Sequence, residues 1–239
     1  MIGASWSKGS QSVVKRLEVV DILPGASVLR GSNHVGLFVT GRTQVALRSA
    51  YPHSQFENNG GFMENVRRIQ GMGGETLKWG TQTWTLAYGQ SHWLQPESEL
   101  TLHVSMDAQG LLRVENQTGH VLESCRGVIQ TDGKQRRWVI GWVQPEETKE
   151  VFATLFDTDP MDGMYYDPDQ PEEWAIIAAL DGFIPTNGAP LARSNQGVFA
   201  CTVSQWSSPL EVGGVNGRKE SITVLRTVFD KHPAFLESK

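Results

Sequence analysis

Between residues 99 and 156 the apolar positions fall on every second residue. Leu100, Leu102, Val104 and Met106 alternate with Thr101, His103 and Ser105, the period of a strand with one buried face. Asp107-Ala108-Gln109-Gly110 is turn chemistry, and Leu112 and Val114 resume the alternation before a second turn at Asn116-Gln117-Thr118-Gly119. Residues 121–129 predict another extended segment. The Asp132-Gly133 pair that follows tolerates the positive φ a tight hairpin requires. Over residues 137–143 the alternation sets Trp138, Ile140 and Trp142 on one face, the side expected in the core. Gln144-Pro145-Glu146-Glu147 turns the chain again, and residues 150–156 return as a strand. Short strands with a turn about every ten residues indicate a sandwich or barrel.

The same reasoning extends outward with weaker signals. Residues 76–79 and 83–88 are rich in Trp, Thr and Tyr, which suit a pleated surface. Adding them gives an expected Ig-like β-sandwich domain over residues 76–157. Residues 13–22, 35–39 and 44–47 before it, and 198–203 and 221–229 after it, also predict strands. The flanks, 13–75 and 158–239, are therefore expected to be a second β-rich region. Within them, residues 57–74 resemble a loop, with a short helix expected inside it over 62–69. Residues 172–180 carry both helix and buried-strand signals, and the β context favours the strand. The fold class expected is all-β, an antiparallel β-sandwich of Ig or fibronectin-III type.

Composition narrows the classes. The chain has 239 residues, 39 % hydrophobic and 20 % charged, enough to bury a core without disulfides or metal. Its longest unbroken apolar run, residues 174–180, is far shorter than the roughly 20 residues that span a bilayer. The net charge of −5, with no block of basic residues, argues against nucleic acid as a partner. Cys125 and Cys201 sit in apolar, strand-like contexts, where buried free thiols are expected ahead of a bridge. The first 16 residues are polar and lack the apolar core of a secretory signal. This leaves a cytoplasmic chain or a soluble excerpt of an exported one.

Candidate chemistry is sparse. There is no Gly-x-Ser-x-Gly elbow, the six His are scattered without metal-ligand spacing, and the Gly-rich stretches lack a phosphate-loop context. Asn116-Gln117-Thr118 matches a glycosylation acceptor, a short and common motif. The charge, however, is uneven: residues 146–173 hold ten acids against one base, Lys149, and the remainder of the chain is slightly positive. Within that stretch Asp157, Asp159 and Asp162 precede Gly163 and could offer oxygens to Ca²⁺. The EF-hand pattern is not met, since Met161 occupies the fifth position and no Glu the twelfth. No other cofactor is expected. Trp79, Trp84 and Trp93 have mostly polar neighbours and are the expected binding surface for a sugar ring or a protein.

Residues 110–155 carry a resemblance. Gly110-Leu111-Leu112-Arg113-Val114-Glu115-Asn116-Gln117-Thr118-Gly119 is followed by Val121-Leu122-Glu123-Ser124-Cys125, a hairpin, Trp138-Val139-Ile140-Gly141 and Pro145-Glu146-Glu147-Thr148. This succession resembles the Ig-like or fibronectin-III-like segment of extracytoplasmic regions of large bacterial membrane-anchored proteins. The resemblance implies sandwich modules outside the cytoplasm, tied to a membrane anchor in a longer parent, and it transfers no catalytic residues. The function expected is a non-enzymatic scaffold or protein-interaction module, with parent-protein domains or a protein as partner. The alternatives are a carbohydrate- or calcium-dependent binding module, and a hydrolase using acidic pairs such as Asp157 with Glu173.

Overall fold

The computed structural model describes residues 11–51, 53–57, 64–71, 74–95, 100–131, 134–156, 171–180 and 195–232. Among them are sixteen strands and one helix. The strands are β1 (Ser12–Ile22), β2 (Leu29–Val39), β3 (Thr43–Ser49), β4 (Gln55–Glu57), β5 (Glu64–Gly71), β6 (Gly74–Thr81), β7 (Thr85–Gln95) and β8 (Thr101–Met106). They continue as β9 (Leu111–Gln117), β10 (Leu122–Thr131), β11 (Lys134–Val143), β12 (Thr148–Phe152) and β13 (Thr154–Phe156). The helix α1 (Pro171–Leu180) follows, then β14 (Gln196–Val203), β15 (Leu210–Gly213) and β16 (Gly217–Asp230). The fold is all-β and antiparallel, as expected. No helix among the described residues is long and apolar enough to cross a membrane.

The chain divides into two compact units, neither of them a continuous segment. Unit 1 comprises residues 1–18, 30–96 and 206–222, and unit 2 comprises 19–29, 97–205 and 223–239. The stretch 76–157 thus gives residues 76–96 to unit 1 and 97–157 to unit 2.

Unit 1 has a four-stranded sheet in the order β15-β3-β6-β5, and a second sheet containing β4, β7, β2 and its parts of β1 and β16. Alternation does the packing. Val45 and Leu47 of β3, Leu77 and Trp79 of β6, and Val35, Leu37 and Val39 of β2 meet in one cluster with Val14, Phe56 and Ala87. Residues 62–69 were expected to be helical, but their described part lies in β5. The hairpin register, Arg68 opposite Leu77 and Gly71 opposite Gly74, supplies cross-strand hydrogen bonds that so short a helix lacks.

In unit 2 the sheet containing β13, β11, β10, β14 and parts of β16 and β1 is accompanied by a three-stranded sheet, β12-β9-β8. Trp138 is fully buried, edge-on to Phe229 at 5.9 Å, and its indole Nε1 donates to Gly110 O at 3.1 Å. Trp142, expected beside it, is instead 63 % exposed. The cause is a bulge: Gly141 has φ +80°, and the β10–β11 register shifts on both sides of the Cys125–Gly141 pair. One residue out of step moves every later side chain to the opposite face.

The segment favoured as a strand, 172–180, is helix α1. Pro171 opens it, Glu172 and Glu173 sit in its first turn, and Ala175, Ile176, Ala178 and Ala179 are buried. Proline suits the first helical position, carboxylates favour the N-terminal end, and alanine is the best helix former. The buried Arg226 donates Nη1 to Ala179 O at 3.0 Å, satisfying a carbonyl at the helix end, and grips Asp21 through two nitrogens at 2.7 and 3.3 Å. Cys125 and Cys201 are buried free thiols.

Candidate binding groove

Unit 1 holds a groove of about 730 Å³. Ala46 and Arg48 alternate with the core residues Val45 and Leu47 on β3, and Thr76 and Lys78 alternate with Leu77 and Trp79 on β6. Those four side chains therefore point away from the core cluster. Ile69 and Gly71 of β5, and residues 210–213 of β15, form further walls, with Val14 and Arg16 of β1 and residues 219–221 of β16. Ile69 and Val212 make the accessible apolar part of the lining, while Val14 and Leu210, which also border it, belong to the buried core.

The charged part is mainly basic. Arg16, Arg48, Lys78 and Lys219 face two carboxylates, Glu211 and Glu220. Glu220 is already engaged by Arg218 at 2.7 Å and Lys15 at 3.5 Å. Arg16 donates Nη1 to Leu210 O at 2.9 Å, and Lys219 donates Nζ to Val212 O at 3.3 Å. Among the described residues, Arg48 and Lys78 have no carboxylate partner. Beside the groove β5 ends its sheet, and its side chains from Asn65 to Gly71 are all exposed, Arg67 and Arg68 included.

Behind Arg16 lies a buried carboxylate that the sequence reading missed. Glu18 has no exposed surface, and among the described residues neither oxygen has a partner in hydrogen-bonding geometry. Burial pushes its carboxyl up, against weaker opposing influences from Ser208, Arg16, Asn33 and Trp93. Burial likewise lowers the Arg16 guanidinium, partly offset by Glu18. The signal was a charged residue at 18 within the apolar strand reading of 13–22.

The aromatic candidates separate. Trp79 and Trp93 are interior, each 1 % exposed, and offer no surface. Their odd numbering on β6 and β7 places them with the core residues Leu77 and Ala87, and Tyr51 stacks on Trp93 at 4.2 Å between centroids. Trp84 is 64 % exposed, held at φ +60° in the turn before β7, with Phe38 5.7 Å away. Leu86, two residues on, is also exposed.

Asp157, Asp159 and Asp162 lie outside the described residues. Among the described residues no set of three His, Cys, Asp or Glu is arranged to hold a metal ion. Glu173, the partner considered for Asp157, is paired with Arg126. Asn116, of the glycosylation match, is 1 % exposed. Its Nδ2 donates to the carbonyls of His120, Val143 and Gln144, and its Oδ1 accepts from Thr118. It is a turn-organising side chain.

No protein-family model matches the chain, and no curated protein matches it. Among solved structures, the chain is similar to the zebrafish (Danio rerio) Fcho1 mu homology domain with bound Eps15 peptide. That likeness has 9 % identity and a TM-score of 0.45, covering 92 % of this chain and 94 % of the other. It is also similar to the yeast delta-COP-I mu-homology domain complexed with a Dsl1 WxWxV peptide, at 9 % identity and TM-score 0.42, covering 92 % and 97 %. At this level of likeness neither assigns a family or a ligand to the chain.

Proposed function

We propose that the chain is a non-enzymatic protein-interaction module whose unit 1 groove takes an extended, acidic protein segment with apolar side chains. The observation that carries this is the lining itself: four cations against two carboxylates, with Ile69 and Val212 as apolar contacts in the walls. Complementary charge sets partner choice and encounter rate, while the apolar contacts supply the desolvated anchors. The rim strand β5 is exposed from Asn65 to Gly71, as a surface for an extended partner requires.

Fluorescence anisotropy with a labelled peptide alternating Glu with Ile and Leu tests the reading. Binding is expected to weaken with salt, and to fall at least tenfold in the Arg48→Glu/Lys78→Glu variant. Equal binding of a peptide with Lys in place of Glu would remove the proposal, as would an unaffected variant. The location outside the cytoplasm that the resemblance implies belongs to the same proposal. Fractionation of the native host checks it, and recovery only with cytosolic markers would sink that part.

One observation favours a second reading, carbohydrate binding. A bulky residue held at positive φ is costly, yet Trp84 is held there with most of its ring in solvent. Quenching of tryptophan fluorescence by soluble oligosaccharides, lost in Trp84→Ala, would support it. Unchanged fluorescence across a glycan panel would not.

A further inference from the structure

The two cysteines of the chain lie on neighbouring strands of unit 2. In the β10–β14 ladder Glu123 is opposite Thr202 and Arg126 is opposite Ala200, with a register shift between them. Two residues of β10, Ser124 and Cys125, therefore face the single residue Cys201 of β14. Ser124 takes φ +50°, as a bulge residue can, and both cysteines are fully buried. The two thiol side chains interact across the bulge, and even regular facing residues of an antiparallel pair have Cα atoms about 4.5–5.5 Å apart, inside the 4.4–6.8 Å that a disulfide spans.

We propose that Cys125 and Cys201 are a built disulfide site, reduced in the structure described here and, once oxidised, bridged with the β10–β14 pairing kept. The oxidant is a small-molecule disulfide such as oxidised glutathione. One cysteine thiolate attacks a glutathione sulfur, forming a mixed disulfide and releasing one glutathione thiolate. The second cysteine thiolate then attacks the protein sulfur of that mixed disulfide. The Sγ–Sγ bond forms and the second glutathione leaves. Two electrons pass from the cysteine pair to glutathione disulfide, and the two thiol protons end on two glutathione molecules.

Burial sets the rate. The Cys201 thiol is pushed well up by desolvation and by its contact with Cys125, so thiolate is scarce while the strands are closed. Exchange runs through opening of β10 at the bulge, where the ladder is already interrupted. Once formed, the bond encloses a loop of roughly 75 residues, a large constraint on the unfolded chain. In a reducing compartment the pair stays open, and in an oxidising one it closes.

The experiment uses the full chain, refolded from urea in a glutathione redox buffer, quenched with N-ethylmaleimide under denaturing conditions and weighed intact. The expected product is monomeric, 2 Da lighter than the reduced chain, and free of maleimide and glutathione adducts. Its Tm is expected to rise by about 5–10 °C, reversed by dithiothreitol. Cys125→Ala and Cys201→Ala should each give neither the mass loss nor the shift. Two maleimide adducts after refolding would overturn the proposal, as would glutathione adducts or disulfide dimers as the only oxidised forms. An intramolecular bond that lowered Tm would overturn it too. The wild-type mass stands as a test even where a variant fails to fold.

Discussion

Glu18 shows how one side chain links burial to pH. Its ordinary value is 4.5, and in the fold burial raises it. The folded state therefore holds its proton more tightly than the unfolded chain does. This contribution to stability is greatest below pH 4.5 and declines as pH rises towards the folded value. Glu18→Gln keeps the shape and removes the ionisation. The variant is expected to be more stable than the parent at pH 7 in urea unfolding, with the gain vanishing near pH 4. His34 has the opposite sign. Burial and the neighbouring His92 lower it from 6.5 to about 4, and its Nδ1 lies 2.5 Å from Tyr88 Oη. The unfolded chain takes up the proton first as pH falls, so stability drops between pH 6.5 and 4, by roughly 3 kcal/mol at full extent. His34→Gln should flatten that acid limb, and a slope unchanged from the parent would refute the assignment. The sequence marks Glu18 only as a charge within a strand pattern, and His34 not at all. A Glu or His within a strand pattern reads as solvent-facing, and only what packs over that face of the sheet, from elements distant in sequence, buries it.

At the scale of elements, alternation was legible wherever a strand stays in step and illegible where it does not. Residues 100–106 and 111–117 needed only period two. Trp138 and Trp142 satisfy the same period, yet the Gly141 bulge separates them, and its one local sign, an isolated glycine within the strand, does not by itself fix where the alternation flips. The two tryptophans therefore differ sharply in cost. Trp138→Ala should destabilise by about 3–5 kcal/mol, as large buried aromatics do, while Trp142→Ser should stay within about 0.5 kcal/mol. Gly141 itself has open space where a Cβ would go. Gly141→Ala then costs only the left-handed backbone penalty, about 1–2 kcal/mol. Chemical denaturation of the three variants distinguishes these terms. Helix α1 was misjudged for another reason. Ten residues are too few for periodicity to decide, and the decisive partner, Arg226 on β16, lies far away in sequence.

At the scale of the whole molecule, the expectation of a sandwich over 76–157 came from local turn spacing, which carries no information about long-range pairing. The chain enters each unit more than once. β16 supplies Gly217 to Ile222 to unit 1 and Thr223 to Asp230 to unit 2, and β1 is divided after Glu18. β14 pairs with β16 from Gln196 opposite Asp230 to Thr202 opposite Val224, and β6 pairs with β3 from Thr43 opposite Thr81 to Arg48 opposite Thr76. A fragment of residues 76–157 keeps the β8–β9–β12 ladders and the β10–β11 hairpin. It loses β3 and β5 from beside β6, and β14 from beside β10. It also loses Phe229, which packs on Trp138. Exposing that apolar surface removes about 25 cal/mol for each Å² left unburied, against a net stability of only 5–15 kcal/mol for a typical domain. The fragment is therefore expected to be unfolded, with collapsed amide dispersion in a ¹H–¹⁵N spectrum and no cooperative melt, while the full chain is dispersed and cooperative. Residues 97–205 alone should fail as well, for want of β16. A dispersed spectrum from either fragment would mean that the contiguous sequence, and not the returning strands, holds the core.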